Sequence, residues 1–260
     1  MSQVLSSIHP NAKIGKDVSI EPFCTIAEDV EIGNGSWVGP NVTIMNGARI
    51  GSNCRIYPGA VIAGEPQDLK FRGEPSTVTI GDDTIIRECV TVNRGTALDR
   101  SNTSIGKKCI LMAYTHVAHD CVIGDYVILA NAVQMAGHVH IDAYAFLGGT
   151  TAVHQFVKIG GHTMISGGSL VRKDVPPYVT AARDPLSYSG VNSTGLRRRG
   201  FSNEKIREIQ DIYRIFYVSG LNNSDALDKI KLELDPTAER DQIIKFIEDS
   251  SRGMMRGGKD

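Results

Sequence analysis

The 260-residue chain has few aromatic residues, no strong net charge and no long hydrophobic run. Aromatic residues make up 6% of it, and its five cysteines form no CxxC pair, which argues against a disulfide framework or a thiolate metal site. No apolar stretch approaches the ~20 residues of a membrane-spanning helix. The net charge is −1, so no strong field attracts nucleic acid or an anionic membrane. We therefore expect no nucleic-acid partner and no stable membrane insertion.

Several familiar motifs are also missing. The sequence contains no P-loop and no GxSxG elbow, and GNGSWVG has valine at the third glycine position of a dinucleotide fingerprint. The first residues, MSQVLSSIHPNAK, lack a basic head followed by an apolar core, so no secretory signal is visible and we expect a cytoplasmic location.

The sequence does contain a six-residue repeat. An aliphatic residue, called the anchor below, recurs at every sixth position in three blocks, and a small or β-branched residue stands four positions after most anchors. Both positions fall on one face of a strand, and a period of six is not that of a helix. The anchors are Ile8, Ile14, Ile20, Ile26, Ile32, Val38, Ile44, Ile50, Ile56 and Ile62, then Ile80, Ile86 and Val92, then Ile105, Leu111, Val117, Ile123, Leu129, Met135, Ile141, Leu147, Val153, Ile159, Ile165 and Val171.

This repeat predicts a solenoid of parallel β-coils over residues 1–186, with three hexads closing each triangular coil. Glycine often follows the anchor, as a sharp turn would require. The small inward positions hold Cys24, Cys54, Cys109 and Cys121, which we expect to be reduced structural thiols, whereas Cys89 falls elsewhere in its hexad.

Residues 187–260 are predicted to form a small α-helical C-terminal domain. Apolar residues at helical spacing indicate a helix between an N-cap at Ser202 and Gly220. A second helix is expected over Asp225–Leu234, and a third from a cap at Asp235 to about Asp249. The tail RGMMRGGKD is expected to be frayed.

Two interruptions of the repeat lie at about residues 63–79 and 93–104. Both follow anchors of the same column, Ile62 and Val92, so both insertions should leave the same edge of the solenoid on successive coils. Loops on a rigid scaffold frequently carry function.

The same edge should hold four of the seven histidines, His116, His119, His138 and His154. His119 and Gly137 are 18 residues apart and should stack on neighbouring coils. An imidazole takes up and returns a proton near neutral pH, a carboxylate such as Asp120 can fix its tautomer, and a glycine leaves its amide open to an oxyanion. The arrangement suits acyl transfer from a thioester to a hydroxyl without a metal.

Two other interpretations remain open on these residues. His116, His119 and His138 could instead bind zinc, as in carbonic-anhydrase-like hexapeptide proteins. The solenoid could also be a non-catalytic binding surface. Similarly, the basic run Arg197–Arg199 could bind phosphate or form a solvated turn.

The motifs GEPQDLKFRGEP, NRGT, HVAHDC, MAGHV, GGTTAVHQF, DVPPYV and GLRRRGFS occur in this order over nearly the whole chain. They resemble the UDP-N-acetylglucosamine acyltransferases of lipid A biosynthesis, a family of hexapeptide-repeat acyltransferases. The resemblance implies a left-handed parallel β-helix and a homotrimer with active sites between subunits. It implies transfer of an (R)-3-hydroxyacyl chain from acyl carrier protein to the sugar 3-hydroxyl, the first step of lipid A biosynthesis, with no cofactor and no metal.

The resemblance also implies roles for individual residues. His119 would be the general base, Asp120 its partner and Gly137 the amide that faces the thioester oxygen. Gly167 would set acyl-chain length, and basic candidates for carrier docking are Arg172, Lys173 and Arg197–Arg199. The residues that would bind the sugar nucleotide and the pantetheine are Asp68, Lys70, His116, His138, His154, Gln155, Asn192 and Arg198.

Two positions depart from the family pattern. Asn93 stands where members often have histidine, and Thr194 stands where an acidic residue is frequent. An acceptor with an amine at carbon 3 therefore stays open beside the hydroxyl, as does another sugar O- or N-acyltransferase of the same fold.

Overall fold

The computed structural model describes residues 5–257, in which short parallel strands form three sheets. The first sheet contains Ser7–Ile8, Thr25–Ile26, Thr43–Ile44, Val61–Gly64, Thr91–Asn93, His116–Val117, Gln134–Met135, Ala152–Val153 and Leu170–Val171. The second contains Lys13–Ile14, Val30–Ile32, Ala48–Ile50, Thr77–Ile80, Asn102–Ile105, Val122–Ile123, His140–Ile141 and Lys158–Ile159. The third contains Ser19–Ile20, Trp37–Val38, Arg55–Ile56, Ile85–Ile86, Ile110–Leu111, Ile128–Leu129, Phe146–Leu147, Met164–Ile165, Val179–Ala182 and Ser187–Val191.

Successive coils pair in parallel register. Val117 lies opposite Met135, and Met135 lies opposite Val153, so each anchor stacks on the anchor one coil away. Nearly all anchors are buried, and with the small residues between them they form one continuous core. The parallel β-helix predicted from the six-residue repeat is confirmed, and the column that begins Ile8, Ile26 and Ile44 forms the first sheet as expected.

The glycines that directly follow the anchors are not at the turn positions, although the sequence analysis expects a sharp turn there. The residue with positive φ stands three positions after the anchor and is usually not glycine, as at Asn53, Tyr126 and His162. Glycine directly after the anchor is needed for space: a Cβ at Gly33 would lie 2.5 Å from the carbonyl carbon of Gly51 on the next coil. Below, the corners that follow strands of the first, second and third sheets are called the first, second and third corners.

Both predicted insertions leave the first corner, and both are shorter than expected. The strand Val61–Gly64 runs two residues past its anchor, and Thr77–Ile80 starts the next strand, which leaves residues 65–76 as the first insertion. Residues 94–101 form the second insertion, between Thr91–Asn93 and Asn102–Ile105. The two strands that precede the insertions pair with each other, and so do the two strands that follow them. Strand pairing therefore fixes both ends of each insertion.

The C-terminal part contains four helices: α1 (Ser193–Arg198), α2 (Asn203–Val218), α3 (Asn223–Glu233) and α4 (Ala238–Glu248). Ser202 caps α2 as predicted, since its side chain accepts a hydrogen bond from the Lys205 amide. The predicted cap of the last helix is wrong: Thr237, not Asp235, accepts from the Arg240 amide and begins α4. The short α1 has no amphipathic repeat by which the sequence could reveal it.

The predicted domain division at residue 187 falls inside a hairpin. Strand Ser187–Val191 pairs antiparallel with Val179–Ala182 at the end of the third sheet, so the sheet continues past this position. The division remains a prediction, and its outermost residues, 1–4 and 258–260, lie outside the described part of the chain. Among residues 5–257, no helix has the length and apolar character needed to cross a membrane.

The expectation of a frayed tail is wrong for residues 252–257. Met254 and Met255 are buried, and the Met255 amide donates to the Asp174 carbonyl while the Asp174 amide donates to the Gly253 carbonyl. The cysteine prediction is confirmed: Cys24, Cys54, Cys109 and Cys121 are free and buried, and Cys89 is exposed. Burial raises the pKa of the Cys54 and Cys109 thiols to about 11, which makes them poor nucleophiles.

Candidate active site

A cleft of about 810 Å³ opens at the first corner, beneath both insertions. The coils contribute the corner residues themselves, and each insertion contributes a short segment of polar and exposed apolar side chains. Its lining residues are Gln67, Asp68, Leu69 and Lys70 from the first insertion, Leu98 and Asp99 from the second, and His119, His138, Gln155 and Phe156 from the coils. Asp68, Lys70, His119, His138 and Gln155 are therefore brought together as the sequence analysis expects.

His119 and Asp120 form a hydrogen-bonded pair at this corner. The His119 Nδ1 lies 2.9 Å from Asp120 Oδ2, and the Asp120 side chain has no exposed surface. Asp120 has a φ of 59°, so the chain turns sharply at this residue, just before the next strand. Because a carboxylate only accepts, Nδ1 carries the proton and Nε2 is left as the basic atom of the ring.

The imidazole of His119 lies over Gly137 on the next coil, where a side chain at position 137 would be. A Cβ at Gly137 would lie 2.5 Å from His119 Cε1 and 2.7 Å from Nε2, so only glycine fits beside this ring. Gly137 is buried, yet within residues 5–257 its amide donates no hydrogen bond to the protein. An amide without a protein partner can donate a hydrogen bond to a bound oxyanion.

His138 forms a second imidazole–carboxylate pair at the same corner. Its Nδ1 lies 2.8 Å from Asp99 Oδ2 of the second insertion, and its ring stacks on Phe156 at 4.5 Å. The His119 and His138 rings meet edge to face at 5.0 Å. Each imidazole thus has its own carboxylate and a fixed orientation.

The zinc interpretation can be compared with this geometry. His119, Asp120 and His138 each place a possible ligand atom within 4.8 Å of the others, and imidazole and carboxylate both suit zinc. However, Asp120 already accepts hydrogen bonds from His119 and from the amide and hydroxyl of Thr96. His116, the third histidine of the predicted set, is outside this group and contacts the Thr91 hydroxyl at 2.7 Å. The Asp120 carboxylate is thus hydrogen-bonded to protein donors, and a histidine held by such a carboxylate suits proton transfer.

The other two predicted histidines flank the cleft. Burial, with a smaller contribution from the charge of His119, lowers the pKa of His116, so its ring is neutral near pH 7. His154 is exposed, and its Nδ1 lies 2.8 Å from an Arg252 nitrogen. The same ring nitrogen lies 3.2 Å from the Gln155 carbonyl oxygen, so it is placed between a donor and an acceptor.

Three predicted residues lie at other corners of the same chain. The Asn192 Nδ2 donates to the His162 carbonyl at the second corner, and its Oδ1 caps α1 through the Gly195 amide. Arg198 is exposed at the end of α1. Gly167 is exposed at the third corner, stacked on Gly149. Within one chain, these residues are separate from the cleft.

The two positions that depart from the family pattern do not alter the pair at His119. Asn93 is buried, and its Nδ2 donates to the Glu65 carbonyl at the base of the first insertion. Thr194 is exposed on α1.

Sequence reasoning missed Thr96, Asp99 and Phe156 as functional neighbours of the histidines. Thr96 belongs to the motif NRGT and Phe156 to AVHQF, but neither motif indicates a role for these two residues. Phe156 could have been found, since it follows His138 by 18 residues and so belongs to its column. Thr96 and Asp99 lie in an irregular insertion that has no repeat from which to place them.

Two family profiles match this chain. The profile described as bacterial transferase hexapeptide (six repeats) matches residues 29–64 and 102–137. The profile described as UDP N-acetylglucosamine O-acyltransferase, domain 2, matches residues 174–255.

The chain is also similar to individual proteins of known sequence and structure. The acyl-[acyl-carrier-protein]–UDP-N-acetylglucosamine O-acyltransferase of Janthinobacterium sp. (strain Marseille) is 46% identical over 203 residues, covering 75% of this chain and 76% of that protein. The UDP-N-acetylglucosamine acyltransferase structure from Bacteroides fragilis is 48% identical, with a TM-score of 0.94 over 97% of this chain and 98% of that one. The Francisella novicida structure is 41% identical, with a TM-score of 0.95 over 98% and 94%. By sequence and by fold, this chain belongs to the UDP-N-acetylglucosamine O-acyltransferase family.

Proposed function

We propose that this enzyme transfers an (R)-3-hydroxyacyl chain from acyl carrier protein to the 3-hydroxyl of UDP-N-acetylglucosamine, the first step of lipid A biosynthesis, in the cytoplasm. The observation that carries the proposal is the position of the His119 ring, held by Asp120, directly against Gly137, whose amide donates no hydrogen bond within residues 5–257. Family membership supplies the substrates, because relatives are named for this acyl donor and this sugar nucleotide.

The chemistry follows from the orientation of His119. Its Nε2 removes the proton from the sugar hydroxyl while the oxygen attacks the thioester carbonyl carbon. The carbonyl oxygen becomes an oxyanion that accepts a hydrogen bond from the Gly137 amide. When the carbon–sulfur bond breaks, the imidazolium returns its proton to the leaving thiolate. The products are an ester and the free carrier thiol, and no covalent enzyme intermediate or cofactor is involved.

The cleft has the chemical character that both substrates need. Lys70 supplies a positive charge for phosphate, and Asp68 and Gln155 offer hydrogen bonds to a sugar. Leu69 and Leu98 are 96% and 68% exposed, so the insertions present to the cleft apolar side chains that no residue of the range 5–257 covers. We infer that these side chains contact the acyl and pantetheine portions of the donor.

A homotrimer accounts for the residues outside the cleft. Asn192 contacts the second corner and caps the helix that carries Arg198, and Gly167 is at the third corner, whereas the proposed base is at the first. One ligand could contact residues of different corners if neighbouring copies each contribute one corner to a shared site. Arg172 and Lys173 are exposed one coil beyond His154 and Gln155, which suits docking of an acidic carrier protein beside the cleft.

The chain-length role of Gly167 is tested with Gly167→Met. A Cβ at this position would lie 3.0 Å from the Gly149 carbonyl oxygen, so the neighbouring coil must shift by a few tenths of an ångström, and the fold of the variant is checked by its melting temperature. The longer side chain should then occupy the end of the acyl channel, and preference should move to shorter 3-hydroxyacyl donors. The measurement is kcat/KM over a series of donor lengths. The rate with the shortest donor serves as the internal control, and an unchanged order of preference contradicts the assignment.

The function itself is tested by one assay with the full-length protein. UDP-N-acetylglucosamine and a panel of 3-hydroxyacyl carrier proteins are supplied, and product mass is measured. We expect a singly acylated sugar nucleotide in which the bond is an ester, cleaved by mild base. An alkali-stable amide formed from a 3-amino acceptor would favour the N-acyltransferase alternative, and transfer only to another sugar would favour another member of the fold.

A further inference from the structure

We propose that Thr96 is a positioning residue that fixes the Asp120 carboxylate and, through it, the tautomer of His119. The inference rests on the proposed function for its meaning in catalysis, but its geometry stands independently. Thr96 belongs to the second insertion, residues 94–101, and is 24 residues from Asp120 in the sequence.

Thr96 binds the carboxylate with two donors. Its amide lies 3.0 Å from Asp120 Oδ1 and 3.1 Å from Oδ2, and its hydroxyl lies 2.7 Å from Oδ2. Thr96 is 1% exposed. Because the carboxylate is buried and only accepts, the hydroxyl must donate to it, and this bond is of the strong, charge-assisted kind.

The insertion holds Thr96 firmly in this position. The Thr96 carbonyl accepts hydrogen bonds from the Asp99 and Ser101 amides of the same segment, and the Gly95 amide donates to the Thr77 carbonyl. A Cβ at Gly95 would lie 2.1 Å from the Asn102 nitrogen, so the segment is closed tightly at its base. Just after the insertion, the Thr103 hydroxyl accepts from the Asp120 amide. Both sides of the insertion therefore bind Asp120.

The Thr96 hydroxyl influences which ring nitrogen of His119 carries the proton. Asp120 Oδ2 accepts from the Thr96 hydroxyl and from His119 Nδ1 at the same time, which sets the direction of its remaining lone pair toward the ring. With the hydroxyl removed, the carboxylate keeps the Thr96 amide and the His119 ring as partners, and its orientation toward the ring is held less firmly. The ring would then populate the other tautomer, in which Nε2 carries the proton and cannot act as the base.

The test compares Thr96→Val with Thr96→Ser in the full-length enzyme. Valine keeps the shape and the amide but removes the hydroxyl, so we expect kcat to fall about 10- to 100-fold, the loss typical of a hydrogen bond to a charged group, with KM changed less than about twofold. Serine keeps the hydroxyl and should restore kcat to within about threefold. Thr84→Val is the control, since Thr84 is also buried and its hydroxyl donates to the Gly106 carbonyl and accepts from the Cys109 amide, neither of which lines the cleft; its kcat should be unchanged.

A second readout needs no substrate and separates this inference from the proposed function. In ¹⁵N-histidine-labelled protein, His119 should carry its proton on Nδ1 in the unaltered enzyme and in Thr96→Ser, and should show a mixture of tautomers in Thr96→Val. An unaltered tautomer in Thr96→Val, or an equal loss of kcat in the serine and valine variants, would overturn the inference. An enzyme that fails to acylate UDP-N-acetylglucosamine refutes the proposed function, whereas the tautomer result would still decide the role of Thr96.

Discussion

Replacing His119 with alanine is expected to lower kcat by about 10²- to 10⁴-fold, the contribution typical of a positioned general base. The ring is hydrogen-bonded to Asp120, and its atoms are the nearest to the space above Gly137. His138 is near, but its Nδ1 is engaged with Asp99 and its ring is fixed by Phe156. The measurement is single-turnover acyl transfer at saturating sugar nucleotide.

The control for this variant is His140→Ala. His140 also pairs with a carboxylate, with its Nε2 3.1 Å from Asp142, but it lies on the second sheet, away from the cleft. Both variants should remain folded: His119→Ala loses a hydrogen bond to a buried carboxylate, worth about 1.5–3 kcal/mol, whereas the His140 pair is largely exposed and worth less, so activity is compared per folded protein. A His119→Ala enzyme that retains its turnover would remove the base from the proposed mechanism.

Gly137→Ala is expected to reduce kcat by at least about 10²-fold, although it adds a single methyl group. Its Cβ would lie within 2.7 Å of two atoms of the His119 ring, a separation at which the ring must move. The shift separates Nε2 from the attacking hydroxyl, and the methyl group crowds the amide that would bind the oxyanion, an interaction worth about 10²–10³ in rate. Both effects act on the transition state, so kcat should fall more than KM rises.

Gly161→Ala separates this effect from general crowding. Gly161 is also buried and occupies the same coil position at the second corner, where a Cβ would lie 3.0 Å from the Ala143 carbonyl oxygen. This variant should lose some thermal stability and keep its kcat. If Gly137→Ala and Gly161→Ala have equal activity per folded protein, the close contact at His119 is not required for turnover.

The sequence predicted the coil architecture because the rule that produces it is local. Every strand must bury one large and one small side chain in the same narrow interior, so counting residues is enough to assign Val117, Met135 and Val153 to one column. The same counting placed His119 over Gly137. By contrast, the glycines after the anchors were attributed to sharp turns, whereas they are needed for the close approach of two backbones. Both situations favour glycine, so the sequence does not distinguish them.

Where the repeat stops, prediction became less accurate. The cap of α4 was assigned to Asp235 instead of Thr237, since several residues in succession can cap a helix and only packing selects one. The tail was expected to fray, but the burial of Met254 and Met255 and the pairing with Asp174 hold residues 252–257. Asn192 and Arg198 were assigned to the sugar nucleotide by the family resemblance, and the fold separates them from the cleft within one chain.

The parallel coils, the edge that carries the insertions and the pairing of one imidazole with one glycine could be read from the residues alone, because each follows from counting along a regular backbone. The groups that hold those residues in place became visible only in the folded chain. Thr96 reaches Asp120 and Asp99 reaches His138 through an irregular segment, and the path of such a segment depends on hydrogen bonds and contacts between residues far apart in the chain. The physical reason is that a repeat fixes positions by periodicity, whereas an insertion is fixed by the surface on which it folds.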